Sequence, residues 1–349
     1  MIPLAQADFA ATADSTSAPQ LTALLKTAGV SPVDRTAWIR VTGEDRVRWL
    51  NGMVTNSIQQ LQPNQGNYNF LLNAQGRIQG DATIFAQPDA LLIETDSSQA
   101  PNLIAHLDHF IIMDDVELAD ISATRSGILV AGPQATSALA KIGLSVEALE
   151  PESTRTVSWK SSTVTIIHAH SPLVPRFELW TTPESAPDLL QSLQQAGAVL
   201  CEPQSLNALR ILEGTPLYAI DIRNSDKARE LPQETNQTRA LHFAKGCYLG
   251  QEIVERIRSR GNVHRTFAAF RLESQLPAGQ LPAPGSALEA EGKPVGELTS
   301  VANLQLPSGE NIQLALGYIR REALERSNPI HYPGGTATPI QLPYSAAAA

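Results

Sequence analysis

The sequence predicts an α+β protein that ends in a small β-barrel, and three observations carry that expectation. Up to about residue 265, segments with helical apolar spacing are interspersed with short β-rich runs. After about residue 266 the helical spacing gives way to short apolar runs punctuated by proline and glycine, the texture of a compact barrel. There is no strand-Gly-x-Gly-x-x-Gly-helix unit, P-loop, Gly-x-Ser-x-Gly elbow or Cys-x-x-Cys pair, which sets dinucleotide folds aside. A chain of 349 residues is too long for one ordinary core. The expected division is an α+β region of two units over 1–265 and the barrel over 266–349.

Hydrophobic residues make up 42% of the chain, enough to fill these units. With 17% charged residues and a net charge of -9, the surface as a whole does not invite nucleic acid. Only the cluster Arg256, Arg258, Arg260 and Arg265 offers a local basic patch. Cys201 and Cys247 are the only cysteines, which excludes a disulfide framework and a protein-only cysteine cage for a cluster or zinc. Residues Met1 to Asp8 lack the basic region and apolar core of a signal peptide, and no run approaches membrane-spanning length. A cytoplasmic protein without a membrane partner is expected.

Taken in order, Leu21, Leu24 and Leu25 mark a helix closed by Gly29 and a Ser31-Pro32 breaker. Trp38 to Gly43 reads as a strand, and Asp45 to Asn56 as a helix with Val47, Leu50 and Val54 on one face. Tyr68 to Asn73 and Ile78 to Phe85 form a hairpin about Ala74-Gln75-Gly76-Arg77, with Asp81 on its second arm. A strand at Leu91 to Thr95 precedes a helix from Ala100 to Phe110, whose His106 and His109 lack a third ligand. Strands at Val116 to Asp120 and Ile128 to Ala131 lead into a helix ending near Leu149. A loop and strand at 151–160 are followed by strands at 164–170, where His168 and His170 share a face by alternation, and 177–180, which carries Glu178. A helix at Leu189 to Gly197 and a helix or helix-strand junction at Leu206 to Leu212 complete this part, and the second carries Arg210. The barrel strands include Phe267 to Leu272, Gly296 to Ser300 and Leu314 to Ile319, with Pro277 to Gly285 as a loop and Ala346 to Ala349 as a frayed end.

One stretch does not read as plain scaffolding. Lys245-Gly246-Cys247-Tyr248-Leu249-Gly250-Gln251-Glu252 brackets a thiol and a phenol with two glycines, which allow left-handed or tightly turned backbone. The following Ile253, Val254 and Ile257 alternate with Glu255, Arg256, Arg258 and Arg260, giving a strand-like or short amphipathic element with one apolar and one charged face. Lys245 and the arginines supply positive potential that favours a thiolate. Cys247 is therefore a candidate for chemistry, with a small buried hydrophobe as its bland counterpart.

That stretch, with Leu231-Pro232-Gln233-Glu234-Thr235 before it and Arg258-Ser259-Arg260-Gly261-Asn262-Val263-His264-Arg265 after it, resembles the signature of the YgfZ-type folate-binding proteins, relatives of the glycine-cleavage T-protein (aminomethyltransferase). Asn51 to Asn56 resembles the helix that opens the family's first domain. The resemblance implies a ring of two α+β units and a barrel around a central cavity that holds tetrahydrofolate or a derivative. It implies catalytic roles for Cys247, Lys245 and Asp81. Folate-binding positions would be Tyr68, Asp81, Glu178, Arg210, Tyr248, Gln251 and Arg258, and no metal site is implied. Such a site needs apolar walls for the flat ring, a carboxylate for its N–H groups and basic residues for the glutamate tail. The T-protein carries an acidic pair where this chain has Gly80-Asp81, and its acidic residue near Arg210 is displaced by one place, to Glu213.

The biological role that the resemblance implies is accessory: making or repairing iron-sulfur clusters in enzymes that include tRNA-modifying ones, through transient contact with iron-sulfur proteins or assembly factors. Aminomethyl transfer to tetrahydrofolate is the first rival reading. A nucleic-acid-binding module built on the arginine cluster is the second, though no direct nucleic-acid contact is expected.

Overall fold

The computed structural model describes residues 18–225, 230–261, 263–277, 280–326 and 328–345. The expectations made for Met1 to Asp8, Asn262 and Ala346 to Ala349 lie outside the described residues, as does part of the 277–285 loop. Two open sheets and a closed barrel make up the fold.

The first sheet has the order β3-β4-β5-β2-β6, built from β2 (Thr36–Thr42), β3 (Gly66–Leu72), β4 (Ile78–Ala86), β5 (Leu91–Asp96) and β6 (Glu117–Asp120). The second, β11-β1-β7-β10-β9-β8, takes β1 (Gly29–Val33) from before that set. Its other strands come after: β7 (Ser126–Ala131), β8 (Thr154–Trp159), β9 (Ser162–His168), β10 (Arg176–Thr181) and β11 (Val199–Leu200). The chain thus starts the second sheet, builds all of the first, and returns.

Each sheet buries one face under helices. Ile39, Ile84 and Ile93 of the first pack with Leu103 and Leu107 of the helix Ala100–Asp108. Val130, Ile166 and Leu179 of the second pack with Leu139, Leu189 and Leu193 from the helices Ala135–Lys141 and Ala186–Gln195. The other faces meet through Trp38 and Trp180, edge to face with ring centroids 5.1 Å apart. Gly127, opposite Trp180 in the β7–β10 pairing, has no side chain because a Cβ there would lie 2.6 Å from the indole.

Three local expectations need correction. Gly29, Ser31 and Pro32 do not stop a helix; the helix Ala18–Lys26 ends earlier and these residues form β1. Proline is tolerated because β1 pairs with β11 only at Gly29 and Val30, leaving Pro32 with a single neighbour strand. The helix expected to reach Asn56 covers only Arg46–Asn51, since the backbone beyond it bonds to distant parts of the chain. The helix expected to end near Leu149 is the shorter Ala135–Lys141.

The barrel closes in the order β12-β15-β14-β13-β16-β17, from β12 (Arg265–Ser274), β13 (Ala287–Ala290), β14 (Lys293–Gln305), β15 (Asn311–Arg320), β16 (His331–Tyr332) and β17 (Gly335–Ile340). A bulge in β14 between Leu298 and Ser300 re-aims two buried hydroxyls. Thr299 and Ser300 both donate to Oδ1 of the fully buried Asp221, at 2.5 and 2.8 Å. Asp221 Oδ2 accepts from Arg210 at 2.6 Å, so this carboxylate ties the helix Pro203–Glu213 to the barrel.

Candidate functional site

A cavity of about 560 Å³ opens between the two sheets, within the range of small-molecule sites. Phe85, Leu129 and Ile167 supply apolar wall, and carboxyl and guanidinium groups supply the polar part. Two polar clusters converge in it from opposite sheets.

The first cluster lies on the hairpin β3–β4. Strand alternation sends Asp81 into the cavity and Gly80 to the opposite face, where a Cβ would lie 2.6 Å from Leu103 Cδ2 and 2.7 Å from Gln99 Oε1. Asp81 Oδ2 accepts from the Tyr68 hydroxyl at 2.5 Å and Oδ1 accepts from Gln99 Nε2 at 2.7 Å. Burial raises the Asp81 carboxyl above its ordinary value, against the opposing effect of those two donors. Burial, with the Asp81 charge behind it, drives the Tyr68 phenol well above its usual range, so it stays a donor. Over the same ring lies the Arg239 guanidinium, 4.0 Å from the centroid and ion-paired to Glu152.

The second cluster lies on β10. Glu178, 5% exposed, accepts from Arg176 Nη2 at 2.8 Å and from Trp180 Nε1 at 3.3 Å. Glu94 of β5 stands within hydrogen-bonding reach of it, and its carboxyl is raised well above normal, first by burial and then by the charge of Glu178. Among the described residues Arg176 Nε is buried and has no hydrogen-bond partner, so the cavity wall holds a donor that they do not use. Arg210 also lines the cavity, but its guanidinium is spent on Asp221, the Thr215 carbonyl, Asn207 and Ser300.

This fold has a counterpart among known proteins. The glycine cleavage system aminomethyltransferase T of Bartonella henselae superposes with a TM-score of 0.80 over 94% of this chain and 89% of that one, at 18% identity. Residues 7–242 match the GCVT N-terminal domain. The chain belongs to the GCVT family. The tRNA-modifying protein YgfZ of Yersinia pseudotuberculosis is 32% identical over 260 residues, covering 74% of each chain. A chloroplastic protein of Arabidopsis thaliana that carries a transferase name is 25% identical over 299 residues. That alignment takes in 84% of this chain and 65% of the relative's length.

In this GCVT-family chain the Lys245 to Gln251 stretch lies apart from the cavity. Tyr68, Asp81, Glu178 and Arg210 line it, whereas Lys245, Cys247, Tyr248, Gln251 and Arg258 are not among its described lining residues. The lining therefore brings together the expected carboxylates but not the thiol stretch. Gly246 and Gly250 do take left-handed backbone, at φ +93° and +81°, and a Cβ on Gly250 would collide with the Asn73 carbonyl at 2.5 Å. The charged segment after them is a helix, Gln251–Arg260, not a strand.

Lys245 does not face the thiol's surroundings as a free charge. Its Nζ donates to the carbonyls of Asn51, Val54 and Asn56 at 2.7, 2.5 and 2.6 Å. Burial pulls its pKa down to about 7, but only the ammonium has three N–H groups to satisfy three acceptors, and that opposes the shift. Tyr248 is buried in one apolar cluster with Tyr68, Phe70 and Ile78, so it supports the hairpin from behind. Gln251 Oε1 accepts from the Tyr248 N–H at 3.3 Å. Cys247 is exposed, and Arg258 lies 4.3 Å over the ring of the exposed Phe243. Arg265, counted with the arginine cluster, is instead committed to Glu234 at 2.9 Å.

Sequence reasoning missed Glu94, Gln99, Arg176 and Arg239. Each sits in an ordinary strand, helix start or single 3-10 turn, and only the meeting of distant segments gives it a place in the site.

Proposed function

We propose that this GCVT-family protein binds tetrahydrofolate or a derivative in the cavity between its sheets and serves, as a YgfZ-type accessory factor, enzymes that depend on iron-sulfur clusters. The observation that carries the reading is the meeting of two carboxyl-bearing groups of residues, Asp81–Tyr68–Gln99 with Glu94 from the first sheet and Glu178–Arg176 from the second, around one ligand-sized space. The donor set fits the cofactor. Ionised carboxylates accept from the N–H groups of a pterin, Phe85 and Leu129 offer apolar wall, and the unused Arg176 Nε is a donor for a carbonyl or carboxylate of the ligand. Bound there, a reduced folate would supply a ring nitrogen able to accept or hand over a one-carbon unit, and Asp81 would hold a proton beside it.

The relatives named tRNA-modifying protein YgfZ support the accessory role, with tRNA-modifying iron-sulfur enzymes as clients. Transient contact with iron-sulfur proteins or assembly factors would use the exposed Cys247 face rather than the cavity. A cytoplasmic setting belongs to the same proposal. Among the described residues no helix is long and apolar enough to cross a membrane. Calorimetric titration with tetrahydrofolate tests the cavity: saturable binding that Asp81→Asn weakens is expected, and no binding at millimolar ligand overturns it.

One observation favours a second reading, aminomethyl transfer. The acid absent at position 80 would have pointed away from the cavity, so the carboxylate aimed at folate is still there. Methylenetetrahydrofolate formation from an aminomethylated lipoyl carrier would establish that reading in place of the accessory one.

A further inference from the structure

The cavity joins two carboxyl groups that no single strand could bring together. Glu94 stands on β5 in register with Trp38 of β2 and Thr83 of β4, and Glu178 stands on β10 of the other sheet. Both line the cavity, and the two carboxyls lie within hydrogen-bonding reach of each other. Glu178 already has two donors, Arg176 at 2.8 Å and Trp180 at 3.3 Å. The cations acting on Glu94 are Arg176 and, more weakly, Arg125, which lies 5.0 Å from the Trp38 ring centroid. Arg176 is divided further, because Glu213 also acts on it. Two adjacent carboxylates in a buried site repel, and one shared guanidinium does not neutralise both.

We propose that Glu94 and Glu178 hold one proton between them and together read the edge of the bound heterocycle, with Glu94 as the specificity-determining acid. This rests on the reading of the cavity as a folate site. The ionised member accepts from ring N–H and amino groups, while the protonated member donates its O–H to a neighbouring oxo group or ring nitrogen. The ligand class selected is a neutral ring with a 2-amino-4-oxo pattern, an acceptor beside donors. A 2,4-diamino ring puts a donor where the acid needs an acceptor and is rejected. The burial that raises Glu94 well above its usual 4.5 is the same burial that makes an unmatched donor costly.

Glu94→Gln tests this, because the amide keeps a donor and cannot ionise. In ligand-free protein the sign follows from the raised folded value. The contribution of Glu94 is fully present below its unfolded value near 4.5 and is lost as pH rises through the folded one. Wild type should therefore lose unfolding free energy as pH rises above about 4.5, and Glu94→Gln should lack that component. For tetrahydrofolate, wild-type affinity should fall on the order of tenfold as the pair ionises, while Glu94→Gln should bind with little pH dependence. Wild type should prefer a 2-amino-4-oxo pteridine over its 2,4-diamino analogue by roughly tenfold or more, and Glu94→Gln, whose amide can turn over, should lose that preference. Equal pH slopes in wild type and variant, without ligand, overturn the shared proton. If wild type binds no tetrahydrofolate, the folate reading fails by itself, and the ligand-free slopes still decide whether the pair shares a proton.

Discussion

The Tyr68 hydroxyl donates to Asp81 Oδ2 at 2.5 Å, and Arg239 covers the face of the same ring at 4.0 Å. The phenol thus holds the carboxylate while its ring face carries the guanidinium. Tyr68→Phe keeps the ring and removes the donor. A hydrogen bond to a charged group contributes about 1.5 to 3 kcal/mol, so the variant should lose about that much stability at neutral pH. The Tyr68 donor lowers the Asp81 pKa against the raising effect of burial. The loss should therefore be present with Asp81 ionised and shrink as pH falls through its folded value, which lies above 3.8. Urea unfolding of both proteins across that range checks it.

Lys245 and Cys247 are two residues apart and predict opposite outcomes. Replacing Lys245 by alanine strands three carbonyls, those of Asn51, Val54 and Asn56, in a partly buried turn. A cost of about 3 kcal/mol or more is expected from denaturant unfolding. Cys247→Ser alters an exposed side chain and should change stability by less than about 0.5 kcal/mol. If the serine variant nevertheless loses the support of cluster-dependent enzymes in cells, the thiol's role is chemical. Equal stability losses in the two variants would contradict the division of labour within the motif.

Much of this architecture could be read from residue pattern, and the limits of that reading have physical causes. The β3–β4 hairpin announces itself by apolar runs about Gly76, which sits at φ +69° in the turn. The barrel does so through short runs with proline and glycine between them. Residues 251–260 were ambiguous because a single side chain, Val254, is buried there, too little apolar periodicity to separate helix from strand. The glycine bracket around Cys247 signalled a special backbone but not the reason for it. The close approach of Gly250 to the Asn73 carbonyl and the capture of the 51–56 carbonyls by Lys245 are both long-range contacts. Glu94 and Arg239 were invisible for the same reason, since nothing near either in the chain distinguishes it from a surface charge.

The two thiols should separate cleanly by reactivity. Cys201 is 2% exposed and burial pushes it up to about 11, whereas Cys247 is exposed. At pH 8 only about one in a thousand Cys201 side chains would be thiolate, and it is the thiolate that alkylates. Iodoacetamide on the native protein should give one adduct, at Cys247, with Cys201 labelled only after denaturation. Peptide mass mapping reads this directly, and rapid native labelling of Cys201 would mean that the cluster it shares with Leu24, Leu129 and Leu209 opens easily.

Gly80→Asp would restore an acidic pair in the sequence without restoring one in the cavity. Position 80 faces the helix Ala100–Asp108, and its Cβ alone would lie 2.6 Å from Leu103 Cδ2 and 2.7 Å from Gln99 Oε1. Leu103 is a core side chain and Gln99 is the residue that holds Asp81, so neither can move without loss. Over-packing of this kind costs about 1 to 3 kcal/mol, and burying an unpaired carboxylate adds to it. The variant should melt at lower temperature, bind tetrahydrofolate more weakly because Gln99 is displaced from Asp81, and show no new aminomethyl transfer. Calorimetry and the methylenetetrahydrofolate assay check all three. A gain of transfer activity would mean that the strand can rotate its alternation at Gly80, contrary to the register that pairs Leu71 with Gly80 and Phe70 with Asp81.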